Sequence, residues 1–128
     1  MGKKVLLLLA SFCVPLCAQD FPDAPSSHRF WDPTNRALLL SHIALEAVDS
    51  GITHRNLSRG GKEMNEMAKP LCESGTAGQV IYFAGRSIAV VGISYLLHRT
   101  RHHKWERAFI VAASVDTAYG ITYSFAHK

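Results

Sequence analysis

His42, Glu46, Asp49 and Thr53 stand four, three and four residues apart in a segment that is otherwise apolar. On a helix those spacings gather all four into a narrow sector of one face. An imidazole and two carboxylates aligned in this way can pass a proton, hold a metal ion or hydrogen-bond inside a core. Two later hydrophobic segments each carry a charge near the middle, Arg86 in one and Asp116 in the other. A charge at the centre of a membrane helix costs roughly 2.5–3.5 kcal/mol on insertion scales, so it needs a reason and a partner. Arg86 is the natural partner of Glu46, Asp49 or Asp116. Three acids to one arginine leave a surplus of negative charge for His42 or water to meet.

Three roles fit this group. As a polar core it fixes the register of packed helices, and this structural role is the expected one. As a proton or ion path it belongs to the class of intramembrane acids and histidines that mark such paths. Three helices are few for a channel, so that role requires an oligomer. As a metal site it would use His42, Glu46 and Asp49, because metal sites do place histidine and carboxylate one turn apart. The sequence offers no second motif to complete such a site, and no cofactor is expected.

No hydrolytic nucleophile is in evidence. Gly85-Arg86-Ser87 lacks the flanking glycine of a nucleophile elbow. Gly60-Gly61-Lys62 lacks the first glycine and the terminal hydroxyl residue of a phosphate loop. His102-His103 reads as an exposed charge feature.

The elements that must position these residues follow from the chain's punctuation. Residues 1–18 read as a secretory signal, with Lys3 and Lys4 ahead of an apolar run that begins at Val5. Residues 19–32 form an extended spacer with Pro22 and Pro25. Asp32-Pro33 then supplies an N-cap and a first-turn proline, and predicts a helix over 33–57. Gly60-Gly61 ends it. The stretch 62–74 reads as a polar loop with room for one short helical turn. A second helix is expected over 78–97, where Gly78, Gly85 and Gly92 recur every seven residues and make a small-residue face for helix packing. A third is expected over 105–126, with Trp105 towards one end and Tyr119 and Tyr123 towards the other, as aromatic belts require.

The chain has 128 residues, room for one domain. Its net charge of +4 includes the two lysines of the signal, and much of the rest lies in the run HRTRHHKWER at 98–107. A basic run can bind nucleic acid. Here it sits between two apolar segments, so a cytoplasmic loop under the positive-inside rule is the better reading, and a nucleic-acid partner is not expected. Cys13 and Cys17 would leave with the signal, and Cys72 alone makes no internal disulfide.

From Asp49 to Asn65 the chain resembles a family of small uncharacterised bacterial membrane proteins. In that family an aspartate and a threonine one turn later close the first helix, and a Gly-x-x-Glu-x-Asn turn follows. The matching residues are Asp49, Thr53, Gly60, Glu63 and Asn65, while Glu66 stands where the pattern has proline. The resemblance implies three membrane-associated helices, with a capping role for Glu63 and Asn65, and carries no activity.

The expectation is therefore an all-α bundle of three membrane-associated helices over 33–128, behind a signal sequence, multi-pass in the bacterial inner membrane. Its partners are the lipid bilayer and a second copy or another membrane protein. Its role is structural or interactive; the alternative is an oligomer that moves protons or ions or binds a metal.

Overall fold

The computed structural model describes residues 28–126, and among them it holds four helices and no strand. They are α1 (Pro33–Ser58), α2 (Lys69–Cys72), α3 (Thr76–Arg99) and α4 (His103–Ala126). The expected signal and most of the spacer lie outside the described residues.

α1 begins as its sequence requires. The Asp32 carboxylate accepts from the Asn35 N–H at 2.8 Å, and Pro33 occupies the first turn. It ends in a Schellman motif. The Gly60 N–H donates to the Leu57 carbonyl at 3.1 Å and the Gly61 N–H to the Asn56 carbonyl at 3.0 Å, with Gly60 at φ +82°. α3 closes the same way: Arg101 N–H donates to His98 O at 3.0 Å and His102 N–H to Leu97 O at 2.9 Å. Arg101 takes the left-handed position there, at φ +62°.

Four boundaries move from expectation by one or two residues: α1 ends at Ser58 rather than residue 57, α3 runs over Thr76–Arg99 rather than 78–97, and α4 starts at His103 rather than residue 105. The expected 62–74 loop contains α2, which Pro70 opens. Glu63 and Asn65 organise its approach. The Glu63 carboxylate accepts from the Asn65 N–H at 2.9 Å, and the Asn65 side-chain oxygen accepts from the Met67 N–H at 3.0 Å.

α1 and α4 run parallel at a constant offset. Asn35 meets Glu106, Glu46 meets Thr117, and Asp49 lies against Gly120, each pair 71 residues apart. α3 returns antiparallel to both, pairing Glu46 with Arg86 and His98 with Glu106. The core between them is layered. A polar layer at Asn35, Glu106 and Arg107 is followed by an apolar one at Leu38, Leu39, Val90 and Ile110. A second polar layer at His42, Glu46 and Thr117 comes next. Ala68, Cys72 and Phe83 then close the α2 end.

Much of the outside of the bundle is apolar. Leu40, Ile43 and Val48 on α1, Val80, Ile81, Ile88 and Leu96 on α3, and Val115 on α4 all face outward. Ile88 is 71 % exposed, whereas Glu46 is 2 % exposed. Among the described residues, α3 is the one helix long and apolar enough to cross a membrane. α1 carries Glu46 and Asp49, and α4 carries Glu106 and Arg107, on their inward faces.

The small-residue face of α3 requires correction. Gly78 is closely approached, by the Leu71 carbonyl and the Ser74 hydroxyl of the α2 region rather than by another long helix. A Cβ added at Gly85 or Gly92 would meet nothing within 4 Å among the described residues. The seam that does pack uses polar side chains of α1 and α4 instead.

Candidate functional site: a polar core opening into a groove

The stripe from His42 to Thr53 lies on the buried face of α1, as its spacing predicts. Glu46 is its centre. One carboxylate oxygen accepts from the Thr117 hydroxyl at 2.6 Å and lies 3.4 Å from Arg86 Nε. The same oxygen stands 3.8 Å from His42 Nε2. A terminal nitrogen of Arg86 donates to Asp116 at 2.8 Å and to the Thr117 hydroxyl at 3.3 Å. The guanidinium also stands 5.7 Å from the Tyr82 ring centroid, within cation–π range. Arg86 is thus the shared partner that the sequence suggests, and Thr117 is a member that the sequence reading does not single out. Its signal is its place one residue after Asp116, on the face of α4 that meets α1.

Asp116 departs from expectation. Its side chain is 72 % exposed, so it is the outer end of the cluster and not part of the interior. His42 is the inner end. It is fully buried, and among the described residues both ring nitrogens and the second Glu46 oxygen have no hydrogen-bond partner.

Beyond Asp116 the helices part to leave a groove of about 330 Å³. Its polar lining includes Asp49, Lys62, Glu63, Arg86 and Asp116, and its aromatic lining includes Tyr82, Tyr119 and Tyr123. The Asn65 amide lies 3.4 Å from the Tyr82 hydroxyl, tying the turn to the groove wall. Above it, the Gln79 side chain donates to the Cys72 carbonyl at 3.1 Å, and its side-chain oxygen lies 3.0 Å from His54 Nδ1. That bond fixes α2 across the groove's end. Gly60, Gly61 and Glu63 serve the turn that frames it.

The metal reading of His42, Glu46 and Asp49 loses its geometry. Asp49 points towards Gly120, 3.6 Å from where a Cβ would stand, and lines the groove instead of joining His42. Among the described residues, the side chains with metal-ligating atoms that converge are His28, His98, His103 and Glu106 at the opposite end of the bundle. His103 is therefore not the exposed charge feature its neighbour His102 is, because it lies 3.1 Å from the Glu106 carboxylate. Comparisons with protein-family models, with curated proteins and with solved structures find no match.

Proposed function

We propose that this chain is a small integral membrane protein of three spanning helices whose role is structural or interactive. The observation that carries this reading is a core with polar layers beneath outward apolar faces. Asn35, His42, Glu46, Glu106 and Thr117 are inside, and Leu40, Ile81, Ile88 and Leu96 are outside. Water favours the opposite distribution, whereas hydrocarbon favours this one. The exposed aromatic residues Trp31 and Trp105 sit at one end and Tyr119 towards the other, as interfacial belts would. α3, at 24 residues, is about 36 Å long, enough for a hydrocarbon core of about 30 Å.

α1 follows α4. The two run side by side in one register, so α1 spans wherever α4 spans. The 98–107 run and the start of α1 share one end of the bundle and therefore one side of the membrane: the cytoplasm where the positive-inside rule decides, the outside where residues 1–18 act as an export signal. The resemblance of 49–65 to small bacterial membrane proteins points to the same setting.

In this reading Glu46, Arg86 and Thr117 fix the helix register, and the groove beside Arg86 and Asp116 is the face offered to a partner. Proton movement is the second reading, because His42, Glu46, Arg86 and Asp116 form a chain of ionisable groups. That chain stops at the apolar layer of Leu38, Leu39, Val90 and Ile110. The register role therefore fits better.

The test is fractionation followed by substitution. The chain should leave membranes only with detergent, and Glu46→Gln, Asp49→Asn and Arg86→Met should each lower the folded yield. Full yield with loss of a pH response in reconstituted vesicles would favour the proton path. Recovery of the wild-type chain in the soluble fraction would reject the membrane reading.

A further inference from the structure

The geometry points to a four-coordinate site for a divalent metal ion of the zinc class, formed by His28, His98, His103 and Glu106. The ligand atoms of these four residues all lie within 4.8 Å of one another. Glu106 is at the centre, fully buried. One of its oxygens is 3.4 Å from His28 Nε2, and the other is 3.2 Å from His98 Nδ1 and 3.1 Å from His103 Nδ1. The three ring centroids are 4.6, 4.9 and 5.0 Å apart.

These distances are long for hydrogen bonds to a carboxylate, which run about 2.7–2.9 Å when charge-assisted. Two of them, from one Glu106 oxygen to His98 and to His103, are close to the edges of a zinc tetrahedron, about 3.3–3.5 Å for bonds near 2.0–2.1 Å; His28 faces the other oxygen, and the ligand atoms would draw inward on an ion from a spread of up to 4.8 Å. A cation between them would take a lone pair from each ring and one from Glu106.

The donor set selects the ion. Imidazole nitrogen suits zinc and its neighbours, calcium and magnesium prefer oxygen, and no thiol is among the ligands to favour copper(I). All four positions come from the protein, which is the pattern of a structural site.

The supports behind the ligands match what metal sites need. The Asn35 amide, itself fully buried, donates to Glu106 and to the Phe30 carbonyl. Arg107 Nε donates to the Asn35 side-chain oxygen at 3.1 Å, and Asp32 neutralises Arg107 at 2.7 Å. Glu106 is thus held from behind by a chain of three side chains. The backbone gathers the ligands: His103 and Glu106 share one face of α4, and the 100–102 turn brings His98 beside them. Buried Phe30, its ring centroid 5.6 Å from that of His98, carries His28 into place. Bound metal would pin the segment before α1 to the α3–α4 turn. The site is at the end of the bundle away from the groove and does not depend on the membrane reading.

The test is titration of the full, untagged chain in detergent with Co²⁺ and with Zn²⁺ alone, monitored by the visible bands of four-coordinate cobalt and by calorimetry. The expected result is one ion per chain. His98→Ala, His103→Ala and Glu106→Gln should each weaken binding at least tenfold, Asn35→Ala by about 10–100-fold, and His102→Ala not at all. Helix content by circular dichroism separates ligand loss from unfolding. His28→Ala, outside every helix, serves as a ligand variant that spares the bundle. No four-coordinate cobalt spectrum, or equal binding by His28→Ala and the wild-type chain, would overturn the site.

Discussion

Thr117 donates its hydroxyl proton to Glu46 at 2.6 Å, across the seam where α1 and α4 run in parallel. Both side chains are buried, and Arg86 reaches them from α3. Three helices therefore meet at one carboxylate. Thr117→Val keeps the shape and removes the donor, so it should cost about 1–3 kcal/mol, the penalty of an unsatisfied buried acceptor. A denaturant or thermal midpoint in detergent reads this directly. An unchanged midpoint would mean that Glu46 does not rely on Thr117.

Arg86 should matter more, and it should be rescued by its partner. Removing one member of a buried pair leaves the other uncompensated, at about 3–5 kcal/mol when burial is complete. Arg86 keeps 25 % of its side chain exposed, so Arg86→Met should fall at or below the lower end of that range. Glu46→Leu combined with Arg86→Met should recover much of the loss. Strictly additive effects in a double-mutant cycle would show that the two residues do not act as a pair.

Gly60 and Arg101 occupy the same left-handed position at the ends of α1 and α3. A side chain is strained there and glycine is not. Gly60→Ala should lower stability by about 1 kcal/mol, and Arg101→Gly should raise it by up to about 1 kcal/mol. The opposite signs are the informative part, and thermal unfolding of the two variants side by side checks them.

Cys72 is 1 % exposed, and burial pushes its thiol up to about 11, with Glu63 and Asp49 acting in the same direction. The native thiol should resist iodoacetamide at pH 8 and react once denatured. Between the ordinary thiol range and about 11, the folded chain holds a proton that the unfolded chain has lost, so stability should fall as pH rises through that window. Fast labelling of the native chain at pH 8 would contradict the burial.

Local signals in the sequence carried the ends and inner face of α1. Asp32-Pro33 and Gly60-Gly61 act through contacts within a few residues, and the stripe's spacing is a property of the helix itself. Arg86 was legible because an isolated charge in an apolar segment calls for a partner. The glycine face of α3 misled, since spacing reveals that residues share a face but not what that face meets. Asp116 pairs with Arg86 as its charge suggests, but from an exposed position that spacing along α4 does not reveal. The metal cluster was hidden because His28, His98 and Glu106 meet only through tertiary packing. Glu106 and Arg107 lie inside a run that reads as a basic loop, yet both turn inward, Arg107 to pair with Asp32.

Thiol labelling in intact cells tests the central claim most directly. Arg29→Cys, Arg59→Cys, Thr100→Cys and Ala126→Cys would each be made in a chain whose native cysteines are serine, and probed with a membrane-impermeant maleimide. The expected result is that positions 29 and 100 label from one side of the membrane and positions 59 and 126 from the other. Labelling of all four from the same side, or of 29 and 100 from opposite sides, would contradict a bundle in which α1, α3 and α4 all span.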